Sequence, residues 1–325
     1  MEQAVEPCRA IIVAGPTCSG KSTLALNLAR RLGGTVINAD SMQVYRELRV
    51  LTARPTPAEE ALAPHALYGV RPAAAAGSAA WWRDAALEAM AASAVPILCG
   101  GTGLYFQALA TGLAEVPDPG EPARTEARTL LESLGPAALH ARLSAADPIT
   151  AARLRLTDRQ RIARAWEVWR GTGRGLAAWQ AATPAPSGWR FLVILLDPPR
   201  PALRAAIAAR FAAMLANGAV AEARALADLE LDPALPAMRA HGVPELMAYL
   251  RGELVLPEAV RRAVLATGQY TKRQATWFRH HHIADPNHTH IIHARCGNET
   301  QLSESLEHAL LTFLNSRVDR PASGA

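Results

Sequence analysis

A glycine-rich stretch near the N-terminus has the residue types and spacing of a phosphate-binding loop. It reads Gly15-Pro16-Thr17-Cys18-Ser19-Gly20-Lys21-Ser22, which fits the pattern G-x-x-x-x-G-K-[ST] between a short apolar run and an apolar helical pattern. Glycines let the backbone wrap around a phosphate, while loop amides, the helix N-terminus and the lysine supply positive potential. The final hydroxyl can ligate Mg²⁺. The loop therefore predicts a di- or triphosphate ligand, with a hydroxyl at Ser22 that could ligate Mg²⁺, and it leaves the reaction open.

Lysine is so rare in this chain that the lysine of the loop needs a chemical reason. Of the 34 Lys+Arg residues, only Lys21 and Lys272 are lysines. A compact ammonium on a thin stem fits a tight phosphate cradle better than the broad guanidinium fork of arginine does. The position of Lys21 therefore favours phosphate binding over an accidental lysine in a glycine-rich turn.

Two aspartates follow apolar runs that are typical of buried strands. Asp40 ends the run that starts at Val36, and Asp197 follows Leu195-Leu196. Ligands of open parallel sheets bind at the carboxyl ends of the strands, where both carboxylates would lie. Asp40 is followed by the polar and aromatic cluster Ser41-Met42-Gln43-Val44-Tyr45. A carboxylate at Asp40 could hold a metal, act as a base or only cap the next helix.

These residues need strands and helices to position them. Apolar runs predict strands over 10–14, 35–39, 95–99 and 191–196, with helical patterns over 21–32 and up to about residue 216. Such alternation is typical of a parallel sheet flanked by helices. The predicted fold class is α/β, with a P-loop NTPase-like parallel sheet as its core.

The middle of the chain has a different character. Residues 117–187 show helical periodicity without a convincing strand. We therefore predict an inserted helical domain there, between core segments 1–116 and 188–325. The tail after Arg279 shows no pattern that predicts structure or function.

One helix of this insertion is rich in arginine. The stretch 153–174 contains seven arginines. Ile162, Trp166 and Trp169 fall on one helical stripe, which we expect to be buried. Arg161 and Arg164 share another face, which could meet phosphates or an unstacked base, or could simply be solvated.

The composition excludes several classes of protein. Half the residues are hydrophobic and 19% are charged, which is typical of a globular chain with a large core. No run of 18 apolar residues occurs, and the N-terminus is acidic where a targeting signal would be basic. Four scattered cysteines predict neither a zinc site nor a disulfide framework. We expect a cytoplasmic protein without a membrane span; the net charge of +5 alone says little about nucleic acid.

Together, the motifs resemble the tRNA dimethylallyltransferases, also called tRNA isopentenyltransferases or IPP transferases. Besides the phosphate loop and the Asp40 cluster, the similar stretches are Thr52-Ala53-Arg54-Pro55, Pro64-His65, Gly100-Gly101-Thr102-Gly103-Leu104-Tyr105, Asp158-Arg159-Gln160-Arg161 and Thr271-Lys272-Arg273-Gln274-Ala275-Thr276-Trp277. The resemblance covers roughly residues 8–280. It implies transfer of a dimethylallyl group from dimethylallyl diphosphate to the N6 amine of the adenosine 3′ to a tRNA anticodon, with Mg²⁺ as cofactor.

The resemblance also implies roles for individual residues. The loop Gly15–Ser22 would hold the diphosphate, Arg210 would stabilise it as it leaves, Asp40 would face the adenine amine, and Thr102 would contact tRNA and the transferring group. The positions that match tRNA contacts are Asp40, Ser41, Met42, Gln43, Thr102, Arg124, Gln160, Arg161, Ile162, Ala163, Arg164, Arg239, Ala240, His241, Gly242, Val243, Pro244, Lys272 and Arg273.

A few positions depart from the family pattern. Ala206-Ile207 stands where arginine before an apolar residue is usual, Gly268 replaces a usual basic residue, and Val243-Pro244 stands where an aromatic and a basic residue are common. These departures predict fewer cations at the diphosphate or the anticodon loop. They do not affect the phosphate loop or Asp40.

Other functions remain open at this point. An ATP-dependent small-molecule kinase would also use the loop. A prenyltransferase acting on free AMP or ATP would not need the basic insertion, and a tRNA-binding module without catalysis would not need the phosphate loop. We expect a monomer whose partners are the tRNA anticodon arm and dimethylallyl diphosphate.

Overall fold

A parallel sheet organises the larger part of the chain. The computed structural model describes residues 9–182, 186–297 and 304–316. The strands of the described part are β1 (Arg9–Ala14), β2 (Thr35–Asn38), β3 (His65–Ala66), β4 (Pro96–Gly100), β5 (Arg190–Leu196) and β6 (Thr289–Ile292). All are parallel, in the order β3-β2-β4-β1-β5-β6. The predicted parallel α/β core is confirmed.

Helices account for most of the remaining described residues. They are α1 (Lys21–Leu32), α2 (Pro57–Glu60), α3 (Ala79–Ala91), α4 (Gly103–Ala110), α5 (Glu121–Ala146), α6 (Pro148–Ala151), α7 (Arg159–Thr172), α8 (Leu176–Trp179), α9 (Arg200–Ala216), α10 (Ala219–Ala227), α11 (Val243–Leu250), α12 (Leu256–His280) and α13 (Glu304–Ser316). Two 3₁₀ turns lie at Ala237–Arg239 and Pro286–His288. No single described helix has the length and apolarity to cross a membrane; α9 with α10, bent by 69°, passes on length and composition alone.

The central strands β1, β4 and β5 are apolar beyond their first residues, because helices cover both faces of the sheet. On β1, Ile12 packs into a core that includes Trp82 and Phe106, whereas Val13 packs with Leu24 of α1 on the other face. Successive side chains of a strand point to opposite faces, so a strand buried on both sides has no polar alternation. Because β1, β4 and β2 are parallel neighbours, their carboxyl ends lie in one row.

Residues 111–186 form a compact unit of their own, and the described residues on either side of it form the α/β unit. The helical unit has a separate core that includes Leu139, Leu143 and Ile162. The predicted stripe on α7 is confirmed: Ile162 and Trp166 are buried, and Trp169 is partly buried against the same core. Helix α5 is interrupted at Gly135, which has a φ of 78°.

Candidate functional site

The glycine-rich loop connects β1 to α1 through backbone conformations that favour glycine. Gly20 caps α1 with a φ of 91°, in the left-handed region. Gly15 has no room for a side chain, because a Cβ there would meet the carbonyl oxygen of Leu196 at 2.7 Å. Lys21 is buried, and its Nζ lies 3.5 Å from the carbonyl oxygen of Pro16 across the loop. The loop thus presents a helix N-terminus and an ammonium to one small volume, as phosphate binding requires.

The segment after β6 packs against the outside of this loop. The backbone N–H of Cys296 donates to the carbonyl oxygen of Ser19 at 3.0 Å, and Arg295 Nε donates to the carbonyl oxygen of Cys18 at 2.8 Å. A Cβ on Gly20 would overlap the Cys296 carbonyl. The segment therefore supports the loop from a part of the chain in which sequence reasoning found no pattern.

Asp40 follows β2 in a tight hydrogen-bonded turn. Its N–H donates to Asn38 Oδ1 at 2.8 Å, and its Oδ1 accepts from the N–H of Met42 at 2.9 Å. Asn38 is itself buried and donates to the carbonyl oxygens of Asp40 and Leu67, both at 3.0 Å. No hydrogen bond to Asp40 Oδ2 occurs among the described residues. One carboxylate oxygen thus shapes the turn, and the half-buried carboxylate keeps the other for a ligand.

Thr102 lies beside Asp40 because β4 is the neighbour of β2. Its Oγ1 accepts from the N–H of Ser41 at 3.0 Å, and its own N–H donates to the carbonyl oxygen of Ala39 at 3.2 Å. Burial, with a smaller effect of the Asp40 charge, raises the pKa of the Tyr270 hydroxyl well above its usual value. The structure therefore brings Asp40 and Thr102 together.

Arg210 reaches from α9 between the phosphate loop and the loop that follows β2. Its Nη2 donates to the carbonyl oxygen of Thr52 at 3.1 Å, and its Nη1 lies 3.9 Å from Cys18 Sγ. Gln43 Nε2 donates to the carbonyl oxygens of Thr52 and Ala53, both at 2.9 Å. The guanidinium of Arg210 is thus held next to the phosphate loop, while the amide nitrogen of Gln43 is already engaged within the protein.

Two side chains that the sequence analysis did not select hold this site together. Glu222 of α10 accepts the N–H groups of Arg49, Val50 and Leu51, at 2.8, 2.7 and 2.8 Å. Gln274 of α12 accepts from the N–H of Thr17 at 2.8 Å. Gln274 lies inside the Thr271–Trp277 signature, which was the one available signal; nothing local in the sequence singles out Glu222.

The segment 239–244 places some predicted tRNA contacts at the surface and buries others. Arg239 and Pro244 are exposed, and the ring of His241 lies 4.7 Å from that of Tyr270. Burial, together with Arg273, lowers the pKa of His241, and Asp40 opposes that shift. Lys272 and Arg273 are exposed on α12.

Four of the predicted tRNA contacts are buried residues, so any contact of theirs with RNA would be made by the backbone. Ala240, Gly242 and Val243 lie in the core of the α/β unit, where a Cβ on Gly242 would meet the ring of Phe211. Ile162 is fully buried in the helical unit. These residues shape the backbone of their segments, and their side chains do not reach a ligand at the surface.

The other predicted contacts of the helical unit lie on its surface or partly buried. Gln160 and Arg161 are exposed; Ala163, Arg164 and Arg124 are partly so. Ion pairs join Arg161 to Asp158 at 3.5 Å, Arg164 to Glu167 at 3.2 Å and Arg124 to Asp118 at 2.7 Å. Exposed ion pairs of this kind contribute little to stability. Their arginines can therefore exchange the carboxylate for another anion.

The positions that depart from the family pattern have simple surroundings. Ala206 packs in a small apolar cluster with Cys18, Leu203 and Ile207. A Cβ on Gly268 would have no other atom within 4 Å, so this face of α12 is open. Neither position supplies a cation.

The donors near the loop fit a Mg²⁺ ion that arrives with a diphosphate. Ser22 is exposed in the first turn of α1, beside the phosphate loop. Among the described residues, no three His, Cys, Asp or Glu side chains cluster as a metal cage would. In phosphate sites Mg²⁺ is held by one or two protein oxygens with phosphates and water, which this single hydroxyl satisfies.

Two family profiles match the chain. Residues 43–281 match the profile of the family described as IPP transferase, and residues 8–63 match the profile described as isopentenyl transferase. These two matches include the phosphate loop, Asp40, Thr102, Arg210 and Gln274.

Individual relatives cover nearly the whole chain. The tRNA dimethylallyltransferase of Granulibacter bethesdensis is 62% identical over 313 residues, 95% of this chain and 98% of the relative. That of Acidiphilium cryptum is 59% identical over 322 residues, 97% and 99% of the two chains. A solved tRNA isopentenylpyrophosphate transferase from Bacillus halodurans superposes with a TM-score of 0.65 at 29% identity, covering 95% of this chain and 98% of that one. A eukaryotic dimethylallyltransferase acting on tRNA, at 22% identity, shares the fold, with a TM-score of 0.77 over 98% of this chain and 81% of that one. The chain belongs to the IPP transferase family, as its motifs predicted.

Proposed function

We propose that this enzyme transfers a dimethylallyl group from dimethylallyl diphosphate to the N6 amine of the adenosine 3′ to a tRNA anticodon, giving N6-isopentenyladenosine. The observation that carries the proposal is the order of the strands. Because β4 lies between β1 and β2, Thr102 lies between the phosphate loop and Asp40. A diphosphate donor and an amine acceptor can therefore meet along one row of strand ends.

On the donor side, the residues stabilise a leaving diphosphate. As the bond between the allylic carbon and the diphosphate oxygen breaks, negative charge collects on that oxygen. Lys21, the N-terminus of α1 and the guanidinium of Arg210 supply positive charge that is already in position, which favours the transition state over the ground state. Ser22 would hold Mg²⁺, which supplies further charge to the diphosphate when bound.

On the acceptor side, Asp40 orients the nucleophile and takes its proton. The N6 amine attacks the allylic carbon, forming the new C–N bond while the C–O bond breaks, and the proton then released from nitrogen passes to the Asp40 carboxylate. A positioned general base of this kind contributes about 10²–10⁴ in rate. Thr102 holds the backbone beside Asp40 through its bond from the N–H of Ser41.

The RNA partner in this proposal is the anticodon arm, and the protein acts as a monomer in the cytoplasm. The net charge of +5 and the exposed Arg161, Arg239, Lys272 and Arg273 support binding of a polyanion. Such cations contribute affinity by contacting RNA phosphates. The reacting base must also be unstacked before the enzyme can reach its edge.

The test is a product analysis with the purified protein. It is incubated with Mg²⁺, dimethylallyl diphosphate and a tRNA that carries adenosine 3′ to its anticodon, and the oligonucleotide fragments of the digested tRNA are measured by mass spectrometry. We expect isopentenyladenosine at that single position, and no consumption of ATP when ATP replaces the prenyl donor. Turnover with free AMP but not tRNA, or ATP-dependent phosphorylation of a small molecule, would overturn the proposal.

A further inference from the structure

The side-chain amide of Gln274 joins two loops that lie far apart in the sequence. Gln274 is 4% exposed, its Oε1 accepts from the N–H of Thr17 at 2.8 Å, and its Nε2 donates to the carbonyl oxygen of Gly101 at 2.9 Å. The N–H of Thr17 can only donate and the carbonyl of Gly101 can only accept. The two partners therefore determine the orientation of the amide.

The two loops belong to opposite sides of the reaction. Thr17 lies in the phosphate loop, but its N–H donates to Gln274 and is therefore not available to a phosphate. Gly101 precedes Thr102, whose Oγ1 accepts from the N–H of Ser41 beside Asp40. Gln274 therefore contacts the phosphate loop on the donor side, and it contacts the residue before Thr102 on the acceptor side.

The contact between Gln274 and Gly101 is tightly packed. A Cβ on Gly101 would overlap Gln274 Nε2 and would lie 3.1 Å from the carbonyl oxygen of Gly15. Hydrogen bonds therefore run from the N–H of Thr17 through Gln274 to the carbonyl oxygen of Gly101, the residue before Thr102.

We infer that Gln274 is a positioning residue that sets the separation between the diphosphate loop and the Asp40–Thr102 acceptor side. This inference rests on the proposed function, in which the allylic carbon and the amine react across that gap. A misplacement of about 1 Å, caused by a residue outside the chemistry, can slow an aligned reaction by roughly 10²-fold. The length of the glutamine side chain is what maintains the gap.

Two substitutions test this inference. Gln274→Asn keeps both polar atoms on a shorter side chain, so it cannot reach both partners at their present separation. Gln274→Met keeps the length and removes both hydrogen bonds. The matched control is Gln269→Met, the same change at an exposed glutamine of α12.

The rate of a single turnover is measured with tRNA and dimethylallyl diphosphate both saturating, beside the Kd for tRNA and the melting temperature. We expect both Gln274 variants to be about 10–100-fold slower, with tRNA affinity unchanged, and Gln269→Met to behave like wild type. A fall in melting temperature with an unchanged saturated rate would overturn the inference. Weaker tRNA binding with an unchanged saturated rate would also overturn it, by making Gln274 an RNA contact.

The design separates this inference from the proposed function. If wild-type protein produces no isopentenyladenosine, the proposed function fails. If wild type is active and Gln274→Asn reacts equally fast, only the inference about Gln274 fails. If the Met variant does not fold, the Asn variant alone decides. Asparagine keeps a polar amide between the loops and does not place an apolar side chain there.

Discussion

At the scale of single residues, Asp40 shows how one side chain serves both structure and chemistry. Its Oδ1 accepts from the N–H of Met42 in a turn; the sequence left open the role of a helix cap, but a turn and not a helix follows Asp40. A cap alone would not need a carboxylate, because asparagine accepts the same hydrogen bond. The charge and the second oxygen are therefore what distinguish a base from a cap.

We expect Asp40→Asn to fold and bind tRNA normally and to transfer the prenyl group at least ~100-fold more slowly. Asparagine keeps the oxygen that accepts from Met42 but is a poor proton acceptor. Asp197→Asn is the control, since Asp197 also follows a strand of the sheet but pairs with Arg279 at 3.4 Å. The measurement is single-turnover transfer at saturating substrates. Near-full activity of Asp40→Asn would reduce Asp40 to a cap.

The exposed arginine face of α7 makes a second prediction at this scale. The Arg161 side chain is 77% exposed and only weakly paired with Asp158. If it meets tRNA, Arg161→Ala weakens binding and lowers the slope of log K against log salt by about 0.7. Arg170→Ala is the control, because Arg170 is already engaged by Glu126 at 2.9 Å. Binding curves at several salt concentrations decide, and equal slopes would mean that Arg161 is only solvated.

At the scale of elements, the loop after β2 depends on a helix from another part of the chain. Glu222→Gln leaves one acceptor oxygen for three N–H groups. Its NH₂ group cannot accept a hydrogen bond and would face the remaining N–H groups. Because an unsatisfied donor costs about 1–3 kcal/mol, we expect a clear fall in unfolding free energy, measured in urea. Prenyl transfer should fall as well, since the same loop carries the Thr52 carbonyl that holds Arg210. Unchanged stability would mean that water replaces Glu222 at this loop.

The elements that sequence analysis predicted well are those with a strong local signal. Helix α1 starts at Lys21 and ends at Leu32 as predicted, because a glycine in the left-handed region lies at each end. The buried strands β1 and β5 differ from their predicted ranges by one residue at their first end. Edge strands gave no such signal: β3 has two residues, and only one residue of β6 is buried.

The site was predictable to the extent that its residues lie in motifs. The phosphate loop, Asp40, Thr102 and Arg210 meet in the α/β unit. The supports of the site were not predictable, because Glu222 lies 171–173 residues from its partners and Gln274 lies 257 residues from Thr17. The burial of Val243 was missed because a family motif does not say whether a side chain faces a ligand or the core, whereas the helical periodicity of α7 did predict the burial of Ile162.

At the scale of the whole molecule, His241 links stability to pH. The pKa of His241 in the folded protein lies below its value of about 6.5 in the unfolded chain. The contribution of His241 to stability is therefore fully present above that pH, and it is lost at lower pH because the unfolded chain binds the proton more readily. Arg273 strengthens the effect and Asp40 opposes it. We expect the melting temperature of wild type to fall more between pH 7.5 and 5.5 than that of His241→Phe, which keeps a ring against Tyr270. Parallel pH profiles would contradict this.

The position of the helical unit in the chain has a consequence during synthesis. Strand β1 lies between β4 and β5, but β5 begins only at Arg190, after all of residues 111–186 have been made. On the ribosome, β1 therefore waits with one side unpaired while the helical unit emerges. An unpaired apolar strand readily pairs with another chain. Translation that stalls within 111–186 would leave this nascent protein at its most prone to aggregation.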